Sequence, residues 1–253
     1  MYSTCLCCKN SLGSNEAIGM ARLTIAVAIA LSASACVPAW VVNSIAAGNP
    51  GCLYSVPRAD RTVALTLDDG PDSTTTPELM KILAANDARA TFFLISGNVP
   101  GNDTLIARLI REGHEIGNHF SENEASISLS PRAFERSFLT ADSVLRRFAP
   151  VRWVRPGSGH YNKRMVRTFR QHGYQCVLGS VYPFDPQVRF PAFSAWMIRR
   201  NVRPGSIIIL HDGTYKGRNT SKTLRKVLPD LTRRGYRVVT LTELTAAHRA
   251  QAQ

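Results

Sequence analysis

The sequence predicts an α/β fold, a parallel sheet wound with crossover helices, and three observations carry that prediction. Seven segments rich in Val, Ile and Leu recur along the 253-residue chain, with helix-patterned stretches between most of them, which is the rhythm of repeated βα steps. Helix starts and ends carry recognisable capping residues. Polar residues interrupt the apolar pattern mainly where a strand gives way to a loop.

Taken in order, strands are expected near residues 62–67, 90–95, 114–118, 151–155, 174–181, 206–210 and 236–241. The first is an alternating run, Val63 to Leu67, that stops at Asp68, Asp69, Gly70, Pro71 and Asp72, a Gly-Pro turn signal. Thr76, Pro77 and Glu78 open the helix behind it, and Ser130 with Pro131 opens a later one. Both place proline at the first helical position, where its missing N–H has no helical partner to lose. Gly113, Gly173 and Gly235 each follow a last turn containing Arg or His and precede a strand, as glycines just past a helix C-terminus do. Pro229 falls inside the pattern Leu224 to Leu231, so a kink or a broken helix is expected there.

Asp68 and Asp69 are the most informative pair. Adjacent carboxylates repel unless something cationic holds them, and a metal with one acid as ligand and the other as general base would meet that need. An acidic turn capping the next helix is the structural alternative, because Asp, Gly and Pro dominate turns. His119 follows the third strand, Arg155 the fourth, Asp185 the fifth and His211 the sixth. Singly, each has a plain reading: satisfied core histidines, a surface ion-pair partner, a turn residue before Pro186. In a parallel barrel all these positions share the C-terminal rim, and five strand ends that supply acids, imidazoles and a guanidinium there point to a site.

Four motifs, in this order and spacing, resemble the polysaccharide deacetylases with a NodB-type domain, a carbohydrate esterase family 4-like pattern, over roughly residues 58–245. They are Thr66-Leu67-Asp68-Asp69-Gly70-Pro71, Gly113-His114-Glu115-Ile116-Gly117-Asn118-His119, Arg155-Pro156-Gly157-Ser158-Gly159 and Ile208-Ile209-Leu210-His211-Asp212. The resemblance implies a distorted (β/α)7 barrel, in keeping with the seven strands counted above, and metal-assisted removal of acetyl from an N-acetylated sugar. It implies that Asp69 binds a divalent metal, zinc first among the transition metals, while Asp68 takes the proton of the attacking water. His211 would protonate the leaving amine, with Asp185 keeping the imidazole charged, and Arg155 would orient and hold ionised Asp68. The implied partner is an N-acetylated glycan of peptidoglycan, a chitin-like polymer or another envelope polymer.

One departure bears on the metal. The family pattern places a second histidine four residues after the first, and position 123 here is Asn. An amide oxygen is neutral and a poorer zinc ligand than imidazole, whereas Glu122 carries a full charge. The expected ligands are therefore Asp69 and His119 with Glu122, Asn123 standing behind it or ligating in its place. A non-catalytic barrel that binds glycans is the alternative this departure leaves open.

Composition fits one catalytic domain without repeats, low-complexity tracts or an appended binding module. The net charge of +13 comes mostly from arginines spread over helix faces, which reads as a solvated surface or as attraction to an anionic envelope or membrane. Nucleic acid is not an expected partner, since no binding motif or interleaved aromatics accompany the charge. Residues 1–48 read as a signal peptide or membrane anchor: no charge falls between Leu23 and Ala47, and Ala33-Ser34-Ala35 offers a cleavage site before Cys36. Met20 is an alternative start, which would remove Cys5, Cys7 and Cys8. An exported or membrane-tethered location is expected, where Cys52 and Cys176 could form a disulfide. Groove shape is expected to come from loops at 97–103, 157–162, 182–192 and 212–220.

Overall fold

The computed structural model describes residues 51–251, so the N-terminal segment, its cleavage site and its cysteines lie outside the described residues. Eight strands are present among them: β1 (Cys52–Leu53), β2 (Thr62–Asp68), β3 (Ala90–Leu94), β4 (Glu115–Asn118), β5 (Trp153–Val154), β6 (Gln175–Val177), β7 (Ile207–His211) and β8 (Arg237–Val239). The α-helices are α1 (Thr75–Ala84), α2 (Asp103–Arg111), α3 (Pro131–Leu145), α4 (Lys163–Gln171), α5 (Pro191–Asn201), α6 (Thr214–Arg233) and α7 (Leu241–Gln251). All strand pairs are parallel, in the order β1-β6-β5-β4-β3-β2-β7, with β8 against β2. A parallel bridge from Val181 to Ile208 brings the β6 side round to β7, so the sheet curls into the expected distorted α/β barrel.

Two strands depart from the expected seven. β1 joins the sheet ahead of residue 58, with Cys52 opposite Cys176 and Leu53 opposite Val177. β8 pairs only Thr62 to Ala64 of β2, and the Arg89 N–H donates to the Val238 carbonyl at 3.1 Å, so β8 wedges between the roots of β2 and β3.

Strand alternation builds the site. Side chains two residues apart share a face, so Val63, Leu65 and Leu67 of β2 face the helices and join Leu79, Met80 and Leu83 of α1. The other face carries Ala64, then Thr66, then Asp68. Ala64, Phe93, Trp153, Val177, Ile207 and Val239 pack together inside the barrel. Continuing up the same faces by twos, Trp153 leads to Arg155 and Ile207 leads through Ile209 to His211. The polar site is the top of a column whose base is apolar. Gly117 of β4 is required there, because a Cβ would come within 2.6 Å of the Phe93 ring, and that ring has the Arg155 guanidinium carbon 4.2 Å over its centroid.

Helix ends explain the remaining register. In α2, α4 and α6 the glycine past the cap sits at positive φ, and the next residue donates back three residues inside the helix: His114 to Leu109, Tyr174 to Phe169, Tyr236 to Leu231. Asp72 caps two helices at once: Oδ1 accepts from the N–H groups of Thr74 (2.9 Å) and Thr75 (2.8 Å) at α1, and Oδ2 from Thr214 N–H (3.1 Å) at α6. The stretch 212–220 is thus not a loop, since α6 begins at Thr214. Nor is the helix broken at Pro229, which is exposed beside exposed Arg225, where water can take the freed carbonyl.

His114 shows what burial does to an ionisable group. Its Nδ1 accepts the Ala90 N–H at 3.2 Å, and burial pushes its pKa from 6.5 down to about 4. The unfolded chain therefore binds a proton that the folded chain refuses. Folding stability should fall by up to about 3 kcal/mol as pH drops from 6.5 to about 4. Urea melts across that window check it, and His114→Phe should flatten the slope even if its stability at neutral pH is lower.

Candidate active site

Asp68 ends β2 and is 3% exposed; its Oδ1 accepts from Arg155 Nη1 at 2.6 Å. Arg155, 2% exposed, is held on every side: Nη1 also donates to Thr66 Oγ1 (2.8 Å), Nε to the Val177 carbonyl (3.2 Å) and Nη2 to the Leu178 carbonyl (3.0 Å). A buried guanidinium with this many partners is a fixed counter-charge that holds Asp68 in one orientation.

Asp69 turns off the strand at φ 74° and faces two cations. His119 Nε2 lies 3.5 Å from its Oδ1, and Lys216 Nζ lies 2.6 Å from its Oδ2. Burial opposes the Asp69 charge, yet His119, His211 and Lys216 together hold its carboxyl well below the usual carboxylate range. His119 Nδ1 is 2.7 Å from the Arg155 carbonyl. A carbonyl can only accept, so the proton sits on Nδ1 and the Nε2 lone pair points at Asp69. Two lone-pair donors facing each other call for a cation between them: a proton in the metal-free protein, a metal ion when one is present. Burial opposes charge on His119, but Asp68 and Asp69 outweigh it and raise its pKa.

His211 ends β7, where it is the register partner of Asp68. Its Nδ1 is 3.1 Å from both Asp185 carboxylate oxygens, and its N–H donates to Asp185 Oδ2 at 3.0 Å. Asp185 is fully buried, and Asn219 Nδ2 (to its carbonyl, 3.3 Å) and Thr220 Oγ1 (to Oδ2, 3.4 Å) fix it from α6. Burial disfavours the imidazolium, but Asp185 together with Asp68 and Asp69 raises the His211 pKa.

Asp68, Asp69, His119, Asn123, Arg155, His211 and Lys216 all line one cavity of about 580 Å³, while Asp185 stands behind His211. Asp69, Asn123 and Lys216 also line a neighbouring hollow of about 400 Å³, so they form the wall between the two. Glu122 lines neither. Phe120 takes φ 68° and buries its ring, which swings the next residues outward; Glu122 is exposed, and its Oε1 would lie 3.4 Å from a Cβ added at Gly97. Asn123, exposed like Glu122, lines the cavity together with Asp69 and His119, and Glu122 does not.

The facing Asp69 carboxylate and His119 Nε2 fit a divalent cation, and Asn123 lines the same cavity. Among the described residues no three His, Cys, Asp or Glu side chains converge on one ion. Lys216 was not foreseen. It occupies the first turn of α6, where the helix dipole disfavours a cation, and that mismatch is the signal that an anion must face it.

Known proteins share this chain's sequence and fold. The family described as polysaccharide deacetylase matches residues 55–177. A peptidoglycan-N-acetylglucosamine deacetylase of Bacillus cereus is 34% identical over 194 residues, which span 76% of this chain and 91% of that protein. The crystal structure of a peptidoglycan N-acetylglucosamine deacetylase in complex with 4-naphthalen-1-yl-N-oxidanyl-benzamide superposes with a TM-score of 0.73 at 26% identity, covering 79% of this chain and 94% of that one. A family 4 acetyl xylan esterase from Clostridium thermocellum, in complex with a cobalt ion, gives a TM-score of 0.66 at 30% identity, covering 74% of this chain and 91% of that one. Barrel, strand-end acids and histidines, and sequence likeness along most of the Bacillus cereus relative converge: the chain belongs to the polysaccharide deacetylase family.

Proposed function

We propose that the protein is a metal-dependent hydrolase that removes N-acetyl groups from N-acetylhexosamine units of an envelope polysaccharide. The observation that carries this reading is the pairing of an acid and an imidazole on adjacent strand ends. Asp68 is paired with the Arg155 guanidinium, His211 is paired with Asp185, which raises the imidazole's pKa, and both open onto the cavity that Asp69 and His119 line. Asp69 and His119 hold the metal, with Asn123 beside them. When bound, the metal supplies Lewis acidity toward the amide carbonyl and the attacking water. Asp68 takes the water's proton; His211 gives one to the leaving amine; Arg155 and Asp185 position these two groups. Zinc is the proposed metal.

Work on a wall polymer requires export, which the uncharged segment before residue 48 supports. Among the described residues no helix is long and apolar enough to cross a membrane. The basic surface favours approach to an anionic envelope.

A second reading rests on one contact. With Lys216 on Asp69 and an amide at position 123, the barrel would bind glycan without turning it over. Acetate release from peptidoglycan fragments or chitooligosaccharides decides between them. Release that a chelator stops and added zinc restores is expected. Saturable oligosaccharide binding with no acetate under any metal would favour the second reading.

A further inference from the structure

We propose that Cys52 and Cys176 form a disulfide that fastens β1 to β6 and thereby steadies the carbonyl ledge on which Arg155 rests. The two residues are register partners in adjacent parallel strands. Neighbouring strands run about 4.8 Å apart, inside the Cα separation of about 4.4–6.8 Å that a disulfide spans. Their sulphurs point at each other, 2.7 Å apart, with Cys176 buried and Cys52 half-buried. A metal does not account for the pair, because no third His, Cys, Asp or Glu among the described residues joins it.

The place in the fold says what the bond would do. β1 is a two-residue strand at the open edge of the sheet, with only β6 as neighbour. A ladder that short holds weakly, and a covalent link across 124 positions of sequence restricts the unfolded chain far more than it restricts the folded one. Next to the bond, Leu178 N–H donates to the Leu53 carbonyl at 2.8 Å. The Val177 and Leu178 carbonyls in turn receive Arg155 Nε and Nη2. Fastening β1 therefore fastens the strand that seats the arginine.

Two thiols become one disulfide by losing two protons and two electrons. Oxidised glutathione, a small-molecule disulfide, accepts both and leaves as two thiols. The full chain, incubated with oxidised glutathione and digested without reductant after alkylation, should yield a linked peptide containing Cys52 and Cys176. Reduction should then lower Tm by roughly 5–15 °C and speed amide exchange in the β6 peptide by about tenfold or more. Cys52→Ala and the double variant Cys52→Ala with Cys176→Ala should be insensitive to reductant. Alkylated, unlinked Cys52 and Cys176 would overturn the proposal, as would linkage of either to Cys5, Cys7, Cys8 or Cys36, or an unchanged wild-type Tm on reduction. None of these readouts depends on deacetylase activity.

Discussion

Asp68→Asn and His211→Ala should each lower kcat by at least about 100-fold while leaving metal content near that of the parent protein, the usual scale for losing a general base or acid. Asn preserves the shape of Asp68 and can still accept from Arg155, so the loss isolates proton acceptance. It also leaves Arg155 as a buried cation without its counter-charge, so stability must be measured beside activity. A pH profile separates the two roles further. The His211 pKa is raised, so the imidazolium persists toward alkaline pH and activity should fall as pH climbs through that raised value. Asp185→Asn removes the charge that raises it, so the alkaline limb should move to lower pH as kcat drops. An unmoved limb would deny Asp185 its positioning role, and ordinary turnover in Asp68→Asn or His211→Ala would remove that residue from proton transfer.

Zinc binding, followed by competition with a chromogenic chelator, should vanish in Asp69→Ala and strengthen by roughly tenfold or more in Lys216→Met. The reasoning is electrostatic: the Lys216 ammonium sits 2.6 Å from the carboxylate that a metal must use, in a part-buried wall where charges are poorly screened, so the two cations compete. Methionine keeps the length of the side chain and removes the charge. Asn123→Ala should weaken binding, and Glu122→Ala should leave it alone. Weaker zinc binding in Lys216→Met would mean that the lysine helps shape the site rather than opposing the ion. A loss confined to Glu122→Ala would mean that the chain rearranges after Phe120 to bring that carboxylate inward.

For three of the rim residues, strand periodicity alone sets the position, whereas Asp69 turns off β2 at positive φ and Asp185 lies in the loop beyond β6. Asp68, Arg155 and His211 each lie two residues beyond an inward side chain, so finding the strand was enough to aim them. What escaped depends on contacts between distant parts of the chain. The Glu122 and Asn123 directions turn on the positive φ at Phe120, which no local residue preference announces. Lys216 falls in a stretch with loop-like sequence because the cap that starts α6 comes from Asp72, 142 residues earlier, and the helix carries no side-chain cap of its own. β1 escaped because a two-residue strand has no periodicity to detect, and β8 was found as a strand without its odd seat at the root of β2.

The barrel is uneven in a way that matters for endurance. β2 has seven residues and β3 and β7 five each, whereas β5 has two and β6 three. Asp68 and His211 stand on the long-stranded side, and Arg155 reaches Asp68 from the short one. Short ladders open first, well before global unfolding. Opening of β5 and β6 would draw the guanidinium away from Asp68. The fraction of molecules fit to act is then governed by the weaker side of the barrel, and heat or denaturant would silence the enzyme while most of its fold still stands.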